Sequence, residues 1–241
     1  MNHSEFKALF EAAFTQNHLQ EFCTEPIISQ FEAFTALLME ENAHTNLTAI
    51  RQIPDIITKH YADSLLAASL FSKNATVIDV GCGGGFPTFP LAIARPDLHI
   101  TAVDSTQKKI NFVEKASEAL GLSNITPICA RIEDSSMQKF RERFDIATSR
   151  AMARMSILTE LTLPFVKPGG SLIALKGAQG AIEAAEAANA AKLLGGSPIE
   201  DTVTQLFTTE PESRHILIIK KERVSPKQYP RAYATITKKP L

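Results

Sequence analysis

Ala75-Thr76-Val77-Ile78-Asp79-Val80-Gly81-Cys82-Gly83-Gly84-Gly85-Phe86-Pro87 is the stretch that decides the fold. Residues 75–80 form a short apolar run rich in β-branched side chains, the pattern of a strand buried on both faces of a parallel sheet. Glycines end the run. Phe86 to Arg95 then reads as a helix, with Pro87 and Pro90 in its first turn, where a missing N–H costs little. Glycine lets the backbone turn sharply and approach a ligand without a Cβ clash. A buried tight turn with no ligand would use glycine as well, so the surroundings must decide.

Downstream, strand and helix patterns alternate. His99–Asp104 reads as a second strand and residues 106–121 as a helix, with Ile110, Val113, Ala116 and Leu120 inward and Gly121 at its stop. Residues 125–131 and 144–150 are the third and fourth strands. A helix over 156–166 leads through Pro168-Gly169-Gly170 to a fifth strand at 171–177. The Ala-rich segment 178–196 is helical by propensity, and strands at 199–207 and 214–221 close the pattern. Such alternation predicts an α/β fold, a doubly wound, mostly parallel seven-stranded sheet with helices on both faces.

Upstream, residues 1–73 read as helices. Leu9, Ala12 and Ala13 recur at helical spacing. A second helix starts at Pro26 with Ile27, Phe31, Phe34, Leu37 and Leu38 on one face, and a third at Pro54 carries the stripe Ile57, Tyr61, Leu65 and Ala68. Three segments are expected: an N-terminal helical cap at 1–73, a ligand-binding domain at 74–222 and a basic C-terminal extension at 223–241.

In doubly wound sheets, ligands bind outside the carboxyl ends of the strands. Asp104 ends the second strand, where an acid can accept hydrogen bonds from both ribose hydroxyls of a nucleoside. Dinucleotide sites use G-x-G-x-x-G; here the spacing is G-x-G-x-G, with Asp79 two residues before the first glycine. That register is the one used for S-adenosylmethionine (SAM), which carries an amino-acid head and no phosphate, in the Rossmann-like class I SAM-dependent methyltransferases. Because Gly84 lies between Gly83 and Gly85, the glycine run alone leaves a dinucleotide open. Strand three ends at Ala130-Arg131-Ile132-Glu133-Asp134, placing Ile132 against the adenine face; Glu133 and Asp134 also fit an acidic helix start. Strand four ends at Thr148-Ser149-Arg150-Ala151, and Arg150 at the ligand edge of a buried strand favours a functional role.

The end of strand four also lacks a device. Enzymes that methylate exocyclic amines of bases often carry Asn-Pro-Pro-aromatic there; this chain has Ser149-Arg150-Ala151-Met152, and no Pro-Cys pair for pyrimidine C5 chemistry. A ring nitrogen such as guanine N7 has an exposed lone pair and no proton to remove, so positioning against a sulfonium suffices.

Composition sets outer bounds. No apolar run is long enough to cross a bilayer, and the start carries acids rather than a signal-peptide pattern, so a cytoplasmic location is expected, with no membrane partner. Cys23, Cys82 and Cys129 are far apart and form no zinc spacing; reduced thiols and no metal are expected. From Arg214 onward there are eight Lys or Arg and one acid, whereas the rest of the chain is net acidic. This is the pattern of a basic surface for RNA, with Tyr229 and Tyr233 for stacking, or of a solvated tail.

Taken in order and spacing, these segments resemble the bacterial ribosomal RNA small subunit methyltransferase G family, also called glucose-inhibited division protein B. The resemblance spans roughly residues 30–241. It rests on Asn46-Leu47-Thr48, His60-Tyr61-Ala62-Asp63-Ser64-Leu65, the glycine turn with Phe86-Pro87, Asp104-Ser105, Ser149-Arg150-Ala151, Leu175-Lys176-Gly177 and Arg214-His215. It implies methylation of N7 of one guanine in 16S rRNA, with 16S rRNA or the small ribosomal subunit as partner. It implies SAM contacts at Gly81, Phe86, Ile132, Glu133 and Arg150, and ribose contacts at Asp104 and Ser105. For His60, Asp63 and Lys176 it leaves three roles open: positioning near the site, RNA contact or a structural hydrogen bond. Arg150, His60 and Lys176 are the positioning candidates. The family commonly has Thr or Ser at Cys82, and a glycine soon after the Tyr229-Pro230-Arg231 stretch, where this chain has Ala232-Tyr233-Ala234. Two other readings stand beside this one: a SAM methyltransferase with a small-molecule or protein acceptor, and an RNA-binding assembly factor with a vestigial pocket.

Overall fold

The computed structural model describes residues 1–241. Its centre is a seven-stranded sheet of β1 (Thr76–Val80), β2 (His99–Asp104), β3 (Ile125–Cys129), β4 (Phe144–Arg150), β5 (Val166–Lys176), β6 (Glu200–Leu206) and β7 (Glu212–Lys220), in the order β3-β2-β1-β4-β5-β7-β6. The pairings from β3 to β5 are parallel; β7 runs antiparallel to both β5 and β6. The chain winds outward from β1 through β2 to β3, then returns to start β4 on the other side. The crevice at the carboxyl ends of β1 and β4 is therefore the switch point where doubly wound sheets take ligands.

Helices cover both faces. On one face lie α1 (His3–Gln16), α2 (Glu25–Asn42), the helical run of α3 (Ile53–Ile56), a π-stretch (Ile57–Ala62) and α4 (Asp63–Leu65), together with α5 (Thr88–Ala94) and α6 (Gln107–Ala119). On the other lie α7 (Met155–Thr162), α8 (Gly180–Leu193) and α9 (Tyr233–Lys238). The first face holds an aromatic layer in which Phe34 meets Phe89 at 4.3 Å and Tyr61 at 5.9 Å between ring centres. The cap helices thus share one core with α5 and α6, and burial runs without a break across the expected boundary at residue 73.

Three expectations change. The buried stripe of α1 is Phe6, Phe10 and Phe14, not Leu9, Ala12 and Ala13, because three rings spaced four residues apart carry more apolar area to the core. The third cap helix keeps its expected stripe of Ile57, Tyr61, Leu65 and Ala68 buried, but it is not one regular helix to Ala68. Its middle widens into the π-stretch, which turns His60, Tyr61, Ala62 and Asp63 all inward. The C-terminal extension is anchored rather than a uniformly solvated basic arm. Ile236 is fully buried, Arg231 pairs with buried Glu160, and just before the extension Lys221 is buried with its ammonium donating to the Leu163 and Leu194 carbonyls. Arg223, Lys227, Lys238 and Lys239 remain exposed.

No helix is long and apolar enough to cross a membrane, and no group of His, Cys, Asp and Glu is arranged to hold a metal ion.

Candidate active site

The turn after β1 owes its shape to glycine at Gly81 and Gly85. Both have positive φ (76° and 87°). A Cβ at Gly81 would come within 2.5 Å of Met152, and one at Gly85 within 2.2 Å of the Phe89 ring. The turn therefore lies flush against the end of β4 on one side and against α5 on the other. Just before it, Asp79 is fully buried. The Thr88 hydroxyl donates to its Oδ2, while Oδ1 has no hydrogen-bond partner. Burial pushes the Asp79 carboxyl up to about 7, offset in part by Thr88 and Arg150.

Asp104 ends β2 beside the turn. Gly83 N–H donates to its Oδ2 at 3.1 Å and Thr106 N–H to its Oδ1 at 2.9 Å. A carboxylate offers about four acceptor positions, so two remain for outside donors. The acid both braces the glycine turn and faces the crevice.

That crevice is a cleft of about 510 Å³, within the range of ordinary ligand sites. Gly81, Phe86, Asp104, Ser105, Ile132, Glu133 and Arg150, all expected at the site, line it, as does His60. Its roof comes from the cap: Leu47 lines the cleft, and a Cβ at Gly84 would sit 3.2 Å from both Leu47 Cβ and its carbonyl oxygen. Asn42 holds the roof loop, accepting from the Leu47 and Thr48 amides through Oδ1 and donating to the Thr48 carbonyl. Lys176 does not line this cleft. It lines an adjoining one of about 440 Å³, together with Asp63, Glu183 and Arg214. The two clefts share Arg150, Ala151 and Met152.

Arg150 organises the junction. Its Nη1 donates to the Lys59 carbonyl at 2.9 Å and to Asp63 Oδ2 at 3.0 Å. Its Nη2 lies 2.8 Å from His60 Nδ1, which must accept because a guanidinium only donates. The proton of neutral His60 is then on Nε2, 2.6 Å from the Thr48 hydroxyl. Burial, with Arg150 adding to it, pushes His60 down to about 3, so the ring is neutral. The ring stacks on Phe86 with centres 4.2 Å apart, and the Arg150 guanidinium lies 5.3 Å from the Phe86 centre. Asp63 Oδ1 accepts from Arg214 Nε at 2.7 Å, so one carboxylate ties two arginines. The chain then turns at Ala151 with φ of 56°, a left-handed conformation rare for a residue with a side chain.

His60 and Lys176 are thus both engaged inside the protein. The Lys176 ammonium pairs with Glu183 at 2.8 Å and donates to the Ala153 carbonyl, holding the segment that follows β4. Cys82 is buried, and burial pushes its thiol well up, so replacing Thr or Ser there introduces no nucleophile.

Several participants escape a reading of the sequence by spacing. Thr48 and Leu47 sit in a quoted motif, but their place over the glycine turn depends on how α2 packs. The unpartnered oxygen of Asp79 and the contribution of Tyr233 to the cleft lining carry no local sign, apart from the acid standing two residues before Gly81.

Solved structures similar to the chain share its fold. A predicted O-methyltransferase from Agrobacterium tumefaciens superposes with a TM-score of 0.55 at 17% identity, over 68% of this chain and 82% of that one. M. jannaschii TYW2, solved in complex with AdoMet, superposes with a TM-score of 0.52 at 20% identity, over 65% and 73%. Sequence relatives are much nearer. The ribosomal RNA small subunit methyltransferase G of Clostridium beijerinckii is 45% identical over 216 residues, 88% of this chain and 90% of its own length. The protein of the same name from Halalkalibacterium halodurans is 45% identical over 217 residues, 89% and 91%. The family described as rRNA small subunit methyltransferase G matches residues 27–216, which takes in the roof loop, the π-stretch, the glycine turn, Asp104, Arg150 and Arg214. With that match and those identities, the chain belongs to the rRNA small subunit methyltransferase G family of SAM-dependent enzymes.

Proposed function

We propose that the 510 Å³ cleft holds SAM and that the enzyme transfers its methyl group to N7 of a guanine in 16S rRNA. The fit rests on the residues present. Asp104 has two acceptor positions left for the ribose hydroxyls. Ser105 follows it at the ribose, and Ile132 offers an apolar face to adenine, with Glu133 near its amine. Gly81 allows close approach of the amino-acid head, and Asp79, fully buried before the turn with its Oδ1 unpartnered, does not itself line the cleft. Phe86 and Arg150 close the cleft on the methyl side. When bound, SAM supplies a methyl group on a sulfonium.

The observation that favours the N7 assignment is that the two positioning candidates, His60 and Lys176, are held by the protein itself. His60 is neutral with both ring nitrogens engaged, and Lys176 is paired with Glu183. An acceptor with an exposed lone pair and no proton to lose, such as guanine N7, needs neither of them as a base. The residues' work is then to orient the base in line with the methyl group and to exclude water. The adjoining cleft at Asp63, Lys176 and Arg214 would take the acceptor nucleotide, and an rRNA substrate places the enzyme in the cytoplasm.

The test is methyl transfer from labelled SAM to 16S rRNA, free or in small subunits, from cells lacking the gene. Label at one guanine, with strand scission after reduction and aniline treatment, is the expected result. Label in protein or a small molecule would overturn the acceptor. Failure to bind SAM by calorimetry would favour an assembly factor with a vestigial pocket.

A further inference from the structure

The C-terminal extension, basic enough to suggest an RNA arm, reaches the cofactor cleft. Tyr233, the first residue of α9, lines the cleft together with Leu161 of α7 and Ile132 after β3. Its placement is built, not incidental. Arg231 holds Glu160, whose side chain is fully buried, through three hydrogen bonds: its backbone N–H and Nε to Oε1 at 2.9 and 2.8 Å, and Nη2 to Oε2 at 2.6 Å. On the far side of Tyr233, Ile236 is fully buried in the same cluster as Leu158, Leu161 and Ile132. Before it, the Arg141 guanidinium donates to the Ser225 carbonyl at 3.2 Å and to the Tyr229 carbonyl. Tyr233 is therefore fixed between two anchors two and three residues away.

Three of the eight basic residues from Arg214 onward are engaged inside the protein. Arg214 pairs with Asp63 and Arg231 with Glu160, and Lys221 is buried among carbonyls. The other five, Lys220, Arg223, Lys227, Lys238 and Lys239, face outward, so Arg231 and Tyr233, rather than the basic surface, bear on the cleft. Glu160 also gives the arrangement a direction. Without the extension, a buried carboxylate on α7, next to cleft-lining Leu161, loses its cation.

We infer that the C-terminal extension is a wall of the cofactor site, with Tyr233 contacting the adenosine part of SAM and the Arg231–Glu160 pair as its latch. The inference rests on the placement of SAM proposed above. In that placement Asp104 fixes the ribose and Ile132 takes one face of the base, and Leu161 and Tyr233 enclose the base further. An aromatic ring suits this task, since it adds contact area with little conformational freedom to lose.

The test uses the full-length chain with Tyr233→Ala, Tyr233→Phe and Arg231→Met. SAM affinity is measured by calorimetry, melting temperature with and without SAM, and RNA affinity at several salt concentrations. Tyr233→Ala should weaken SAM binding about tenfold, shrink the SAM-induced rise in melting temperature and leave the salt dependence of RNA binding unchanged. Tyr233→Phe should keep SAM affinity, because the ring makes the contact. Arg231→Met should lower both the melting temperature without SAM and the affinity for SAM. Unchanged SAM affinity in Tyr233→Ala would overturn the inference, and so would a loss confined to RNA affinity, which would turn the ring toward the substrate. Absence of SAM binding by the unaltered protein would instead overturn the placement of SAM itself.

Discussion

Asp63 is the group whose removal the structure makes most informative. Its carboxylate accepts from Arg150 Nη1 at 3.0 Å and from Arg214 Nε at 2.7 Å, and the three side chains are only 10, 13 and 17% exposed. Asp63→Ala leaves two guanidinium groups close together without the anion between them. Stranding a buried charge costs about 3–5 kcal/mol. Arg214 keeps Glu212 at 2.9 Å and Arg150 keeps the Lys59 carbonyl, which places the expected loss near the lower bound, about 3 kcal/mol. For a chain of this size that is roughly a 6–12 °C drop in melting temperature. Thermal and urea unfolding of the variant read the loss directly. Adding Arg214→Met removes one stranded cation, so the double variant should recover about 1–2 kcal/mol relative to the sum of the single effects. SAM affinity should also fall, because Arg150 lines the cleft and loses an anchor. A melting temperature within about 2 °C of the parent would refute the reasoning, as would strict additivity with Arg214→Met. Either would mean that water screens the three charges despite their burial.

Three further outcomes follow from the same geometry. His60 has its pKa lowered to about 3 from the ordinary 6.5, so between those values the unfolded chain takes up a proton that the folded chain refuses. Its contribution is complete above pH 6.5 and is lost as pH falls towards 3. Asp79, raised to about 7, acts oppositely over about pH 4–7 and masks the effect in the parent. The stability difference between parent and His60→Gln should therefore shrink on going from pH 7 to 4, by up to about 3 kcal/mol; urea midpoints showing a constant difference would contradict a buried neutral ring. Asp104→Ala should weaken SAM binding by about one to two decades, and it should also lower stability because Gly83 and Thr106 lose their acceptor. A folded Asp104→Ala protein with unchanged calorimetric affinity would remove Asp104 from the site. Gly81→Val places a side chain against Met152 at a positive φ, so the melting temperature should fall even without SAM and the SAM-induced rise should vanish. A stable variant that still gains melting temperature with SAM would contradict the placement of the turn.

How much of this was legible in the sequence depends on whether the cause was local. His99–Asp104 and Phe144–Arg150 match their expected bounds because buried parallel strands are continuous apolar runs with polar ends. The glycine turn and Asp104 were legible for the same reason: backbone freedom and strand-end position are written within a few residues. The fifth strand starts earlier than its apolar run, at Val166, because the strand extends through Gly169 and Gly170, whose backbones exchange hydrogen bonds with Lys221 beyond the end of β7. The π-stretch had no such sign. Its widening brings Asp63 inward to Arg150 and Arg214, partners 87 and 151 residues away in the chain. A helical stripe read from apolar spacing cannot register a carboxylate drawn in by distant cations.

The C-terminal extension shows the same limit in charge rather than in period. Composition counts cations; the field that RNA meets depends on those not already neutralised at close range. Arg231 beside Glu160 and Arg214 beside Asp63 each have a carboxylate within hydrogen-bond distance, and Lys221 is turned into the core. Any electrostatic attraction from this segment must come from residues such as Arg223, Lys227, Lys238 and Lys239, which are exposed. Neutralising these four should therefore flatten the salt dependence of RNA binding, whereas Arg231→Met should act on stability and SAM binding and leave that slope alone. Equal slope changes from the two sets would mean that the Arg231–Glu160 pair opens when RNA binds, and the assignment of the latch would fail.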